Sequence, residues 1–235
     1  MPEGPAFDLT STEPITPPQT AYRPRAVRGG SAVAAMRVEP HTSLDDFPTP
    51  PWATRALCAN VIGIGLGGTA WDPAAGRGHM VRALGEYCRA WGSDVRDYGA
   101  GYPTHDFLGM APPPLSEPDW IITNPPFRLA RQFALRALQL SRRGVALFVR
   151  LQFLEGIGRL QQLFAPYPPE TVALFSERVT LLRGRLQAKT DTGSQTATAY
   201  CWIVWRKHSV PTCGGPRLRW IAPCRKALER AEDYA

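Results

Sequence analysis

The stretch Asp119 to Phe127 joins a short apolar run, Trp120-Ile121-Ile122, to the turn Thr123-Asn124-Pro125-Pro126-Phe127. The run has the character of a strand buried on both faces. The two prolines end it, because neither can donate a hydrogen bond to a sheet ladder. Asn124 is thereby placed at the carboxyl end of a strand, where open α/β sheets bind their ligands. Its side chain offers one carbonyl acceptor and two donors. The residue before a proline is held extended, so the Asn124 carbonyl and the Pro125 carbonyl can point the same way. Two neighbouring acceptors suit an NH2 group lying in a plane, and Phe127 adds a flat apolar face on which a planar substrate can stack. An ordinary strand followed by a proline turn has the same composition.

A second group of residues has the character of a ligand cradle. In Gly68 to Met80 a strand ends in Asp72, enters the small-residue turn Pro73-Ala74-Ala75-Gly76-Arg77-Gly78, and leads into a helix from about His79 to Tyr87. Gly76 and Gly78 let a ligand approach the backbone where a Cβ would collide. The turn is neither a GxGxxG pattern nor a phosphate loop. An acid followed by such a turn, between strand and helix, points to a nucleoside-like ligand. Asp94, 22 residues after Asp72, follows the second strand and is placed to accept ribose hydroxyls; Asp97 competes for that role. A third short strand is expected to lead into His105-Asp106-Phe107-Leu108, where Asp106 can accept an adenine amino hydrogen while Phe107 packs on the ring. His105 has no nucleophile nearby and is expected at the surface. Upstream, the prolines of Phe47-Pro48-Thr49-Pro50 fix an extended loop before a helix from Trp52 to Ile64. Such a loop can offer backbone N–H groups and the Thr49 hydroxyl to a carboxylate.

These residues require strands to hold them. After the Asn-Pro-Pro-Phe turn come an amphipathic helix over Leu129 to Leu140 and three further buried strands, Gly144 to Arg150, Thr171 to Phe175 and Ala199 to Trp205. Strands alternating with helices predict an α/β fold: a doubly wound, mostly parallel seven-stranded sheet with helices on both faces. The organisation predicted is a disordered, proline-rich leader (1–42), one domain (43–210) with a small polar insertion (178–198), and a basic tail (211–235) made of a loop and a short helix from Trp220 onward. Met36 is a possible alternative start.

Composition narrows the classes. A 44% apolar and 10% aromatic share supports a substantial core, and no apolar run of membrane-spanning length occurs. No secretory segment is apparent, and five cysteines without a CxxC pair argue for reduced thiols, a cytoplasmic setting and no metal site. Net charge is +7, and residues 181–230 carry ten Lys or Arg against two acids. That cluster favours a polyanion such as nucleic acid, with Arg183, Arg185 and Lys189 of the insertion as candidate contacts.

The succession Phe-Pro-Thr-Pro (47–50), Asp-Pro-Ala-Ala-Gly-Arg-Gly (72–78), Asp94, Asp106-Phe107 and Asn-Pro-Pro-Phe (124–127) resembles the class I S-adenosylmethionine-dependent methyltransferases. More narrowly it resembles small phage- or prophage-type adenine-N6 DNA methyltransferases, over about residues 44 to 206. The resemblance implies a Rossmann-like methyltransferase fold and S-adenosyl-L-methionine as cofactor. Asp72 to Gly78 and Phe47 to Pro50 would lie about its methionine part, Asp94 would hold the ribose, and Asp106 with Phe107 the adenine. Asn124 and Pro125 would accept hydrogen bonds from the target amino group, within the catalytic turn that Pro126 and Phe127 complete. DNA is the implied partner, with an RNA base or a protein glutamine amide as alternatives and a non-catalytic nucleic-acid-binding role as a third. The chain departs from well-studied members in lacking a separate large target-recognition domain, which leaves sequence specificity and oligomeric state open.

Overall fold

The computed structural model describes residues 45–63, 68–114, 117–186, 198–207 and 215–234. Seven strands form one sheet: β1 (Thr69–Asp72), β2 (Arg89–Gly92), β3 (Trp120–Thr123), β4 (Gly144–Arg150), β5 (Thr171–Phe175), β6 (Tyr200–Arg206) and β7 (Arg217–Ile221). Their order across the sheet is β2-β1-β3-β4-β6-β5-β7. All neighbours pair in parallel except β6, which runs antiparallel to both β4 and β5. The expected doubly wound, mostly parallel α/β architecture is therefore present.

Side chains that alternate along each strand divide the core in two. From β4, Ala146 and Phe148 join one cluster, and Val145, Leu147 and Val149 join the other. On the first face lie α1 (Pro51–Leu57), with Trp52, Ala53, Ala56 and Leu57, and α2 (His79–Gly85), with Met80 and Leu84. The other face is covered by α3 (Ala130–Leu140), with Phe133, Ala134 and Ala137, and by Leu163. Burial on both sides explains why the central strands are continuous apolar runs rather than alternating ones. Gly144 shows how tight this packing is. A Cβ there would stand 2.4 Å from the Trp205 carbonyl oxygen and 2.5 Å from the Trp120 ring.

Two sequence expectations change. No third strand precedes His105; only Asp94 and Thr104 pair, as an isolated bridge. The intervening residues turn instead, with Gly99 and Gly101 at φ of 72° and 77° and Asp97 accepting the Gly99 amide at 2.7 Å. β2 is left as an edge strand. At the other edge, the tail read as a loop and a helix from Trp220 contributes β7, parallel to β5. Its arginines hid it, since an edge strand has one exposed rim and tolerates charge. The following helix, α5 (Arg225–Leu228), is short. Among the described residues no helix is long and apolar enough to cross a membrane.

The carboxyl end is locked to α1 and α2 by a buried cation. Arg55, 3% exposed, donates to Glu86 at 2.8 Å, to both Asp233 carboxylate oxygens at 2.7 and 2.8 Å, and to the Leu228 carbonyl at 2.7 Å. Burial opposes its charge, but hydrogen bonds to Asp233 and Glu86 outweigh this and raise its pKa. A buried pair broken on one side leaves the other charge uncompensated, typically at about 3–5 kcal/mol. Asp233→Ala should accordingly reduce the unfolding free energy in urea by roughly 3 kcal/mol; a change below about 0.5 kcal/mol, the scale of an ordinary surface substitution, would show that the carboxyl end adds nothing to the fold.

Candidate active site

Because β1, β3 and β4 are parallel, their carboxyl ends share one edge, and the motifs following them converge there. Register places Ala70 opposite Trp120 and Thr123 opposite Leu147. Asp72, Asn124 and Arg150 thus leave the sheet from the same side.

Asn124 ends β3 in a defined orientation. Its Nδ2 donates to the Phe47 carbonyl at 2.8 Å. A carbonyl oxygen can only accept, so the amide cannot be reversed, and Oδ1 is left as the acceptor. The turn is pinned a second time by Asp45, whose Oδ2 accepts the Phe127 amide at 2.8 Å. Pro125 is buried, and Pro126 accepts the Leu129 amide at 2.9 Å. The Phe47 and Phe127 rings lie 5.7 Å apart, and the Arg150 guanidinium sits 3.8 Å from the Phe127 centroid. Phe127 is therefore not a bare stacking platform; a cation already lies over it.

The segment from Asp45 to Pro50 also reaches the glycine turn. Arg77 donates to Asp46 at 2.9 and 3.1 Å, while Thr49 is buried with its hydroxyl unbonded. Pro48 is half-buried and Pro50 buried, accepting the Ala53 amide at the start of α1. Asp72 is buried at the end of β1, with Oδ1 accepting the Ala74 amide at 3.1 Å. Burial pushes its pKa up to about 7, against the opposing pull of the Thr123 hydroxyl and the Ala74 amide. The Thr123 hydroxyl influences that carboxyl without making a hydrogen bond of ordinary geometry. Asp94 accepts the Gly76 amide at 2.9 Å and the Arg96 amide at 3.2 Å, so it ties the end of β2 to the glycine turn. Its pKa is also raised, chiefly by burial.

The structure brings Phe47, Asn124, Pro125, Pro126 and Phe127 together, and joins Asp94 to the turn running from Asp72 through Pro73, Ala74, Ala75 and Gly76 to Gly78. Others lie differently from expectation. Phe107 is packed into the core, its ring 5.2 Å from Trp71 and 4.9 Å from Phe133, so it offers little free face. Asp106 is exposed, accepting the Leu108 amide at 3.0 Å. Asp97 is exposed in its own turn. Gly78 has a φ of 79°, and a Cβ there would meet the Tyr102 hydroxyl at 2.3 Å. The group that approaches this glycine is thus the protein's own tyrosine. Arg183 and Arg185 are both exposed, Arg185 pairing with Leu182 in an isolated bridge; Lys189 lies outside the described residues.

Sequence reasoning missed Asp45, Tyr102 and Arg150. The signal for Arg150 was present, as a charged residue ending a buried strand parallel to that of Asn124. Asp45 and Tyr102 act through folded contacts that no local pattern announces.

Buried polar groups normally find a partner. Here the Thr49 and Thr123 hydroxyls lack one, and burial raises the Asp72 pKa, all close in sequence to the convergent turns.

Two outcomes are expected from this geometry. The Asp72 carboxyl titrates higher in the folded protein than the ordinary value of 3.8. Its burial is thus free of penalty below that value, and stability is lost as pH rises from there through about 7. Asp72→Asn should stabilise the ligand-free protein at pH 8, on the order of 1–4 kcal/mol, and do much less at pH 4; equal effects at both pH values would refute the assignment. Asp45→Ala should lower turnover about tenfold or more while ligand affinity at the glycine turn stays within about twofold, because it removes a hydrogen bond to the Phe127 amide alone. Equal losses in both quantities would mean that Asp45 supports the whole edge.

No protein-family model matches the sequence, and no curated protein sequence does. Solved structures do share the fold. The methyltransferase subunit of a type I restriction-modification system from Streptococcus thermophilus aligns with a TM-score of 0.50 at 14% identity, over 82% of this chain and 50% of its own. A modification subunit of a putative type I restriction enzyme from Vibrio vulnificus YJ016 gives 0.46 at 15%, over 80% and 51%. A TehB-like SAM-dependent methyltransferase from Corynebacterium glutamicum gives 0.43 at 13%, over 66% and 88%. The chain spans about half the length of the first two. The seven-stranded, mostly parallel sheet with its β6 reversal is a Rossmann-like methyltransferase fold.

Proposed function

We propose that the protein transfers a methyl group from S-adenosyl-L-methionine to the exocyclic N6 amino group of adenine in DNA. The observation that carries this reading is the fixed Asn124 amide. Its Nδ2 is engaged by the Phe47 carbonyl, and its Oδ1 stands free at the tip of β3, beside the edge that bears the Asp72–Gly78 turn. The name of the Streptococcus thermophilus neighbour, the methyltransferase subunit of a type I restriction-modification system, supports this reading.

The cofactor would supply an electrophilic methyl on a sulfonium. Its holders would be the turn from Asp72 to Gly78, Asp94 for the ribose, Asp106 at the adenine, and the segment Phe47 to Pro50. Asp94 accepts the Gly76 amide and so lies against that turn, which supports giving it the ribose.

The chain's own contribution is positioning and electrostatics. Asn124 Oδ1 and the Pro125 carbonyl accept the two amino hydrogens of the target. That draws the nitrogen from planar toward pyramidal and frees its lone pair for in-line attack. Acceptors already held in place need no reorganisation at the moment of transfer. Once alkylated, the nitrogen is strongly acidic, and its proton passes to solvent without a dedicated base. A target inside a duplex has to leave the stack, at a cost of a few kcal/mol that stacking on the protein can offset.

Incubation with isotopically labelled cofactor and DNA, RNA or protein, followed by mass spectrometry of the digested products, tests the reading. Labelled N6-methyladenine from DNA is the expected result; label in RNA or in glutamine alone would overturn the DNA assignment. Asn124→Ala should abolish transfer, by about a thousandfold or more, with cofactor affinity by calorimetry changed less than about threefold. Retained transfer would remove Asn124 from the chemistry.

A further inference from the structure

Beside the Asn-Pro-Pro-Phe turn lies an open cleft of about 180 Å3 lined by Phe127, Val149, Arg150, Gln152, Phe153 and Arg159. Arg150 ends β4 at the same sheet edge as Asn124. Its guanidinium covers Phe127, and its Nε is buried without a hydrogen-bond partner. An unbonded N–H on a buried cation is unfavourable and is satisfied by an incoming oxygen acceptor. Across the cleft, Arg159 stacks 5.3 Å over the Phe153 ring and is steadied by the Glu155 carbonyl at 2.6 Å.

The charge around this cleft is one-sided. Of the seven arginines from Phe127 to Phe164, Arg142 and Arg143 precede the start of β4 and face Asp119, while Arg150 and Arg159 line the cleft; the one acid of the stretch is Glu155. No ion pair joins Arg150 or Arg159 to a carboxylate among the described residues. The basic carboxyl-terminal third, which composition marked as the polyanion surface, is different. There Arg206 and Arg217 pair with Glu170, Arg225 with Glu229, and Arg230 with Glu86. Uncompensated positive charge is therefore found next to the catalytic turn.

Two guanidiniums alternating with two phenyl rings match the chemistry of a single nucleic-acid strand. A guanidinium takes phosphate oxygens bidentately, and a ring stacks any base. We propose that this cleft holds the nucleotide adjacent to the one being modified, with Arg150 and Arg159 on its phosphate and Phe153 against its base. The proposal rests on reading the Asn124 turn as the site that acts on a nucleic-acid amino group. It adds a coupling to that reading. A target base stacking on Phe127 displaces the Arg150 guanidinium from the ring, and the freed cation is the one that takes the strand's phosphate. Strand capture and base seating then become one event.

The test is binding of a short fluorescein-labelled single strand to the full chain, followed by anisotropy at several NaCl concentrations. Arg150→Gln should weaken binding about five- to tenfold at low salt and reduce the slope of log K against log salt by about 0.7, the value for one phosphate contact on a single strand. Phe153→Leu should weaken binding by a similar factor with the slope unchanged, since it removes stacking and no charge. Arg217→Gln, at the far edge of the sheet and paired with Glu170, should alter neither. If Arg150→Gln fails to fold, Arg159→Gln makes the same measurement. An unchanged slope overturns the proposal, as does absence of strand binding by the unaltered protein. Equal competition by poly-glutamate also overturns it, because the cleft would then be a site for any acidic polymer. Loss of slope in a protein that forms no methylated nucleoside would refute the methyl-transfer reading and keep the cleft; methylation with an Arg150-independent slope would do the reverse.

Discussion

The site depends on one hydrogen bond with only one possible direction. The Phe47 carbonyl cannot donate, so the Asn124 amide must present its nitrogen there and its oxygen elsewhere. An asparagine free to turn would offer donor and acceptor alternately, whereas this one presents an acceptor alone. The segment that supplies this carbonyl also supplies Asp45 to the Phe127 amide and Asp46 to Arg77 of the glycine turn. Three consecutive residues, Asp45, Asp46 and Phe47, thus bind the acceptor turn and the ligand turn to each other. Neither turn is held by the sheet alone, because both begin where the strand ladders stop.

The sheet makes this convergence possible through direction rather than through contact. Parallel pairing of β1, β3 and β4 sends three successive loops out from one edge. The reversed strand β6 then closes the other half of the sheet with two-sided apolar packing, and the stack of Phe148 on Tyr200 at 5.2 Å is one part of it. Stability and reactivity are kept apart by this arrangement. Buried ion pairs such as Arg55 with Asp233 and Glu86 are fully partnered, while the hydroxyls of Thr49 and Thr123 and the Arg150 Nε are buried and unbonded. Unbonded buried polar atoms also occur away from these turns, at Thr54, Trp91, Asp119, Arg136 and Ser141.

Positive charge is unevenly compensated along the chain. The excess of cations in the last third of the chain is real as composition, yet four of those arginines face carboxylates in ion pairs. Between Phe127 and Phe164 the excess is smaller in number; Arg142 and Arg143 face Asp119, whereas Arg150 and Arg159 pair with no carboxylate among the described residues. Electrostatic attraction for a polyanion follows the uncompensated charge and not the count of basic residues.

Much of this protein was legible in the chain by itself. Continuous apolar runs such as Gly144 to Arg150 determine two-sided burial and hence a parallel sheet, and the prolines after Asn124 determine where β3 must stop. Those are local effects of periodicity and backbone chemistry, readable without a fold. Strand pairing was not local: whether Asp94 to Thr104 extends the sheet or turns, and whether Arg217 to Ile221 joins its rim, depended on neighbours distant in sequence. So did the orientation of Asn124, the burial of Phe107, the tyrosine over Gly78 and the guanidinium over Phe127. Each is a contact between segments tens of residues apart, and only tertiary packing decides which of many chemically plausible partners a side chain meets.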